Sequence, residues 1–212
     1  MIEGNFATDR GGGLFFSGSS LMLSGTQFLG NTAVSGGGLY LNTANARRIV
    51  NALFARNAAT ANGAAIYVND AAPLSLIHTS IVSPTAPAGA MQAIYVNAGT
   101  VYLTNTLIAT HTIGIGVAGG TVGDTNTLFA GVSTPYTGTV TSVGGITGTA
   151  GFVNPAADDY HLGAGSGAIN AGIDAGVYTD LEGQARPFGA GYDIGFDESV
   201  FGPRAFLPMV VR

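Results

Sequence analysis

The sequence contains no cysteine. Disulfide cross-links and thiolate metal sites are therefore excluded. Lysine is absent as well, so all seven basic residues are arginine. They face twelve acidic residues, for a formal net charge of −5. Binding to a phosphate backbone requires clustered positive charge. Arg47 and Arg48 form the one adjacent basic pair, so no nucleic-acid partner is expected. Only 9% of the residues are charged, against about 25% in an ordinary soluble domain. No apolar run approaches the length of a membrane span, and no transmembrane segment is expected. Long stretches with helical period and caps are missing too. So are a phosphate-binding loop, a GxSxG elbow and a His pair at metal-binding spacing.

Glycine is abundant, at 34 of 212 residues, among Ala, Thr, Val and Ile. That mixture suits many short strands joined by tight turns. The length allows one substantial core. The chain also repeats itself. "FLGNTAVSGGGLYL" (28–41) returns as "FARNAATANGAAIYV" (54–68), and "FATDRGGGLFF" (6–16) precedes both. The apolar residue after the glycines recurs at Leu14, Leu39, Ile66, Ile94 and Ile115, in steps of 25, 27, 28 and 21 residues. The residue that opens the phrase recurs at Phe28, Phe54, Ile81, Ile108 and Phe129, in steps of 26, 27, 27 and 21. Two independent anchors share one period and one late shortening, which is the signature of a solenoid.

Each period holds three strand-like pieces, enough for one coil of a parallel β-helix with coils about 4.8 Å apart. Alternation assigns the faces. Leu39 and Leu41, Ile66 and Val68, and Ile94 and Val96 point inward. Leu21 and Leu23, Leu74 and Leu76, and Val101 and Leu103 line a second wall, and the phrase-opening residues line a third. Phe15, Tyr40, Tyr67 and Tyr95 then fall at one outward position in four successive coils, as an aromatic ladder. Such a ladder offers either a surface for sugar rings or simple strand-to-strand stabilisation. These four residues are the candidate ligand-binding set. Asn51, Asn105 and Asn126 recur three residues before the third-wall residue, with Gly25 and His78 at that place in other coils. A structural corner role is expected for them. Asp124 stands where neighbouring coils have an inward Leu, so the last coil is expected to be loosened.

The phrase FxxN followed by GG[AG][LIV] resembles the repeat of chlamydial polymorphic outer-membrane proteins, within the wider pectate-lyase-like class. The resemblance covers about residues 1–150 and implies a right-handed parallel β-helix. The segment 146–198 is similar to the choice-of-anchor Q segment that ends many bacterial surface β-helix proteins. Its order runs "DYHL", "SGAINAG", "DLEGQARP" and "GYDIGFDE". Gly167 and Asn170 depart from that pattern, which usually has Pro and Asp there. Eight of the twelve acidic residues lie between Asp158 and Glu198. An acidic, turn-rich tail suits a cap over an open solenoid end, and Arg186 is expected to pair with one of its carboxylates.

The expected organisation is therefore all-β: right-handed parallel β-helix coils over 1–150, an irregular C-terminal cap over 151–198 and a tail over 199–212. The apolar end "AFLPMVVR" is too short to cross a bilayer. The opening residues lack the basic and apolar regions of a signal peptide and read as the middle of a repeat. A C-terminal piece of a longer secreted or cell-surface bacterial protein is expected, with its leader upstream.

Pectate-lyase-like enzymes use acidic residues for Ca²⁺ and a basic residue as proton acceptor, and β-helix glycosidases use paired carboxylates. The repeats offer Glu3, Asp9, Asp70 and Asp124 with Arg10, Arg47, Arg48 and Arg56, and no two of these carboxylates stack in neighbouring coils. No catalytic residue and no metal ligand is assigned. No cofactor is expected. Ca²⁺ would find Asp174, Asp180 and Asp193 in the tail, but their spacing matches no known calcium loop, and turn-forming carboxylates are the favoured reading. His111 and His161 are isolated, with a structural hydrogen bond expected for His161. The functional expectation is a non-catalytic protein for adhesion or polysaccharide contact. The alternative is the C-terminal part of a polysaccharide lyase or glycoside hydrolase.

Overall fold

The structure, a computed structural model, describes residues 1–42, 45–83, 92–142 and 144–201. The apolar end expected to act as a tail lies outside the described residues. No helix among those residues is long and apolar enough to cross a membrane, which says nothing of a β-barrel.

The protein is all-β and almost entirely parallel. A nine-stranded sheet runs in the order Ile2–Glu3, Gln27–Leu29, Arg47–Ala55, Leu74–Val82, Thr100–Ala109, Thr121–Ala130, Val140–Ser142, joined by Leu21–Ser24 and Ile146–Thr147. A six-stranded sheet runs from Leu14–Phe16 through Leu39–Leu41, Ile66–Asn69, Gln92–Ala98 and Ile113–Val117 to Thr134–Thr137. Thr32–Ser35 and Ala58–Asn62 form a small third sheet. None of the sheets closes on itself. Strands of these three sheets pair with their counterparts one repeat away, a stacking compatible with a solenoid, while Phe152–Asn154 and Asp159–Leu162 form a separate antiparallel pair.

The register follows the two sequence anchors. Leu39 pairs with Leu14 and Ile66, and Ile94 with Ile66 and Ile115. Phe28, Phe54, Ile81, Ile108 and Phe129 form one continuous column. These residues share one core with Leu41, Ile49, Val68, Leu74, Leu76, Val96, Val101 and Leu103. Phe28 and Phe54 stack face to face at 4.6 Å, with an interplanar angle of 2°. Burying a side chain of this size contributes about 1.5–3 kcal/mol.

The repeated phrase has a packing reason. A Cβ on Gly38 would lie 3.0 Å from Phe54 Cδ1 and 3.2 Å from Asn57 Cγ, and one on Gly13 would meet Phe28 and Asn31 at 3.0 and 3.1 Å. The third glycine therefore leaves room for the Phe and Asn of the next phrase. The Asn residues form an internal amide ladder. Asn5 and Asn31 donate from backbone and side chain to Asn31 and Asn57 Oδ1 at 2.9–3.0 Å. Asn31 and Asn57 also cap the carbonyls of Ile2 and Phe28. These bonds satisfy turn groups that burial would otherwise leave unpaired.

Two expectations need correction. Three separate strands per coil were expected, but two of them fuse into single strands of nine or ten residues, such as Arg47–Ala55 and Thr100–Ala109. The fusion bends at Asn51, His78, Asn105 and Asn126, which all take left-handed backbone angles (φ 47–74°), as Gly25 does between the unfused strands of the first coil. Asn tolerates this conformation better than most residues. Secondly, Asp124 does not break its own strand, although pairing with Val140–Ser142 on one side shifts register beside it, between Val122 and Gly123. Thr121–Ala130 runs unbroken there and pairs in full register with Thr100–Ala109. Asp124 is buried in the Leu103 column, and burial pushes its carboxyl up. Thr127 Oγ1 donates to it at 2.6 Å, and the Tyr136 hydroxyl donates to its other oxygen. Two nearby donors thus satisfy a carboxyl placed where an aliphatic side chain was expected.

The C-terminal segment lies along the side of the large sheet. Strands such as Arg47–Ala55 turn Phe54 inward and Leu53 and Ala55 outward. That outward face forms a second core: Leu29, Leu53, Ala55, Val82, Leu107, Ala109 and Leu128 pack against Tyr160, Leu162, Ala168, Ile194 and Phe196 of the segment. Arg56 fixes its start with two bonds to Asp158, at 2.6 and 2.8 Å.

Candidate functional site

The aromatic ladder is assembled on the outer face of the six-stranded sheet. Phe15, Tyr40, Tyr67 and Tyr95 are register partners in four successive strands. The rings stack at 5.5, 4.6 and 5.1 Å. Their availability differs from a uniformly exposed column. Phe15 is 43% exposed and Tyr67 and Tyr95 are half-buried, but Tyr40 is only 3% exposed. The reason is geometric: Phe15 and Tyr67 stack on Tyr40, and the Arg10 guanidinium lies 5.4 Å from its ring centre. Burial raises the Tyr40 and Tyr67 phenols above their ordinary value. Within the column the ring faces contact one another, so a ligand meets edges and hydroxyls. Phe15 ends the column, on the edge strand of the sheet.

Two residues further along the same strands stands a second track that the sequence reading did not single out. Asn42 directly follows Leu39–Leu41, and Asn69 and Asn97 meet through their side chains although the ladder shifts register there, Asn69 pairing with Ala98. Asn69 Nδ2 donates to Asn42 Oδ1 at 3.0 Å, and Asn97 Nδ2 to Asn69 Oδ1 at 2.7 Å. The signal was present as the recurring "LYLN", "IYVN", "IYVN".

The bend column serves a purpose that corner chemistry within the coils did not reveal. Asn51 Nδ2 donates to the Thr179 carbonyl at 2.7 Å. Asn105 Nδ2 donates to Ile173 O at 2.7 Å, and its Oδ1 accepts from Ile173 N at 3.0 Å. Asn126 Nδ2 donates to Ala171 O at 2.7 Å and to Asn105 Oδ1 at 3.0 Å. His78 takes the Asn place in the column, with Nε2 3.1 Å from Asn105 Nδ2. Burial, reinforced by the Arg186 charge, lowers its imidazole to about 3, so it stands neutral. The segment 171–181 therefore crosses the strands of the large sheet in reverse order, clipped by one amide after another.

Arg186 organises the end of this segment. It is fully buried and pairs with Glu198 Oε2 at 2.8 Å. It also donates to the carbonyls of Gly195 and Phe196 at 3.0 and 2.7 Å. The three acidic residues considered for Ca²⁺ are not gathered into a ligand set. Asp180 accepts the backbone N–H groups of Glu182, Gln184 and Glu198. Asp193 accepts those of Asn170 and Ser199, and Asp174 that of Gly176. They act as turn formers.

A different group converges. Ligand-type atoms of His161, Glu182 and Asp197 all lie within 4.8 Å of one another. His161 Nδ1 is 2.6 Å from Asp159 Oδ1, and Nε2 is 2.8 Å from Glu182 Oε1. Burial pulls the His161 imidazole down, but the hydrogen bonds to Asp159 and Glu182 outweigh it and hold it at about 9. Asp197 is 3% exposed, and burial pushes its carboxyl up to about 6.

The carboxylates of the repeats are engaged separately. Asp9 pairs with Arg10 at 3.3 Å on the surface, Asp70 pairs with the buried Arg47, and Glu3 lies 3.8 Å from Arg56. His111 is buried with neither ring nitrogen hydrogen-bonded among the described residues, and burial lowers it to about 4. In comparisons with known proteins, no family model, no curated protein and no solved structure matches the chain.

Proposed function

We propose that the stacked sheets form the coils of one right-handed parallel β-helix, and that its six-stranded face contacts extracellular or cell-surface polysaccharide without cleaving it. The observation that supports this reading is the pair of parallel tracks, Tyr40–Tyr67–Tyr95 and Asn42–Asn69–Asn97, repeating once per coil. A polymer of sugars is itself a repeat of hydroxyls and apolar ring edges. A rigid row of amides and phenols about 4.8 Å apart offers it hydrogen bonds in series. Because the Tyr40 and Tyr67 faces are closed by stacking, the amides and phenol hydroxyls carry recognition there. The C-terminal segment covers the outer side of the large sheet and leaves the six-stranded face open for contact. Placement outside the cell, in a bacterial surface protein of the β-helix type with a choice-of-anchor Q-like end, belongs to the same proposal. It rests on the FxxN and "DYHL…RP…DIGFDE" resemblances.

The test is a glycan-array screen of the purified chain with and without Ca²⁺, scoring both binding and product release from acidic polysaccharides. The reading expects binding without products. Each amide contributes about 0.5–1.5 kcal/mol, so Asn69→Ala with Asn97→Ala in one folded protein lowers affinity about 5- to 150-fold. Release of unsaturated or shortened products would instead favour the lyase or hydrolase alternative.

A further inference from the structure

We propose that His161, Glu182 and Asp197 bind a divalent transition-metal ion of the zinc type, with Asp159 orienting the histidine. One imidazole and two carboxylates form a donor set that suits Zn²⁺ better than Ca²⁺, which takes oxygen ligands alone. The three donors lie within 4.8 Å of one another. Zn²⁺ holds N and O ligands at about 2.0–2.2 Å, so side-chain adjustments of about an ångström close the site.

Two further observations point to a ligand. Asp159 Oδ1 sits 2.6 Å from His161 Nδ1, which leaves Nε2 as the ring nitrogen that faces Glu182. A carboxylate behind a metal-binding histidine holds the ring in this way, and the ion takes the place of the Nε2 proton. The second observation is Asp197. It is only 3% exposed, and one oxygen, Oδ2, accepts the Leu162 N–H at 2.7 Å. Among the described residues its other oxygen accepts no hydrogen bond. Asp197 and His161 line a cleft of about 160 Å³ with Leu162, Gln184 and Ser199. The adjacent Arg186 is committed to Glu198 and to backbone carbonyls, so it does not pair with Asp197. The cleft is open, so water completes the coordination. The ion would staple three parts of the C-terminal segment: the Asp159–Leu162 strand, the turn at Glu182 and the end of the segment at Asp197.

The experiment is a calorimetric titration of chelator-treated full chain with Zn²⁺ and, separately, Ca²⁺, with thermal melts of each mixture and Co²⁺ absorption as a geometry probe. The proposal expects one Zn²⁺ per chain, a raised melting temperature, a visible Co²⁺ band of tetrahedral strength and no comparable heat from Ca²⁺. His161→Gln and Glu182→Gln, both at part-exposed side chains, abolish the Zn²⁺ heat while circular dichroism stays that of the parent. Asp159→Asn weakens affinity about 10–100-fold. Absence of Zn²⁺ heat in the folded parent would overturn the proposal and leave His161 as the cation of an ion triad. Zn²⁺ heat unchanged in His161→Gln and Glu182→Gln would overturn it equally, since the ion would then sit elsewhere.

Discussion

Asn105 links the coils to the C-terminal segment, and replacing it measures how much that link stabilises. Its side chain makes four hydrogen bonds: two with Ile173, one with Asn126 and one with His78. Its backbone carbonyl accepts a fifth bond from Gly195 N at 2.9 Å, which substitution leaves in place. At about 0.5–1.5 kcal/mol each, the four side-chain bonds total about 2–6 kcal/mol. Water reaches the partly buried Ile173 groups once the amide is gone, which places Asn105→Gly at about 3 kcal/mol of lost stability. For a chain of this size that lowers the melting temperature by about 6–12 °C. Glycine accepts the left-handed backbone at φ 49°, as Gly25 does in the first coil. Asn105→Ala keeps the loss of bonds and adds about 1–2 kcal/mol of backbone strain. Denaturant unfolding of both variants, with hydrogen exchange at the Ile173 amide, reads the two contributions apart. If Asn105→Gly unfolds within about 0.5 kcal/mol of the parent and the Ile173 amide stays protected, the clip reasoning is refuted.

Other single residues give further tests. His111 is buried and neutral, so its folded-state value of about 4 lies below the ordinary 6.5. Between those limits the unfolded chain binds the extra proton, and stability falls as pH falls. The loss reaches about 3 kcal/mol near pH 4, and in His111→Asn that part of the pH dependence of urea unfolding should flatten. Tyr67 stacks on both Tyr40 and Tyr95, so Tyr67→Ala forfeits two ring pairs worth about 0.5–1.5 kcal/mol each beyond lost burial. A thermal melt unchanged in that variant would contradict a stabilising role for the ladder. A Cβ at Gly38 would meet the Ala65 carbonyl at 2.7 Å as well as Phe54. Gly38→Ala should therefore cost about 1–3 kcal/mol, whereas alanine at Gly165, with nothing within 4 Å, should leave the chemical-denaturation midpoint nearly unchanged.

The stacking was legible because each sequence repeat poses the same physical problem. Phe28, Phe54 and Ile81 each fill one slot, and alternation around Leu39, Ile66 and Ile94 separates inside from outside. The aromatic column followed from the same register, but the closing of Tyr40 did not, since it depends on ring-to-ring distance and on Arg10 folding over the ring. The lateral path of the C-terminal segment was hidden because its contacts join residues such as Asn51 and Thr179, 128 positions apart. A trace of it did exist. Leu53-Phe54-Ala55, Leu107-Ile108-Ala109 and Leu128-Phe129-Ala130 are continuous apolar runs, the pattern of strands buried on both faces. The convergence of His161, Glu182 and Asp197 was illegible for the same reason as the path. Glu182 lies 21 positions beyond His161, and Asp197 lies 35 beyond Leu162. Only the segment's return across the sheet brings their donor atoms within 4.8 Å of one another.

The most direct test of polysaccharide contact on the six-stranded face is hydrogen exchange of the folded chain with and without a bound glycan identified by the array. The account predicts that protection on binding is confined to 39–42, 66–69 and 92–98, the strands that carry both tracks. Protection of the C-terminal segment instead, with those strands unchanged, would contradict it.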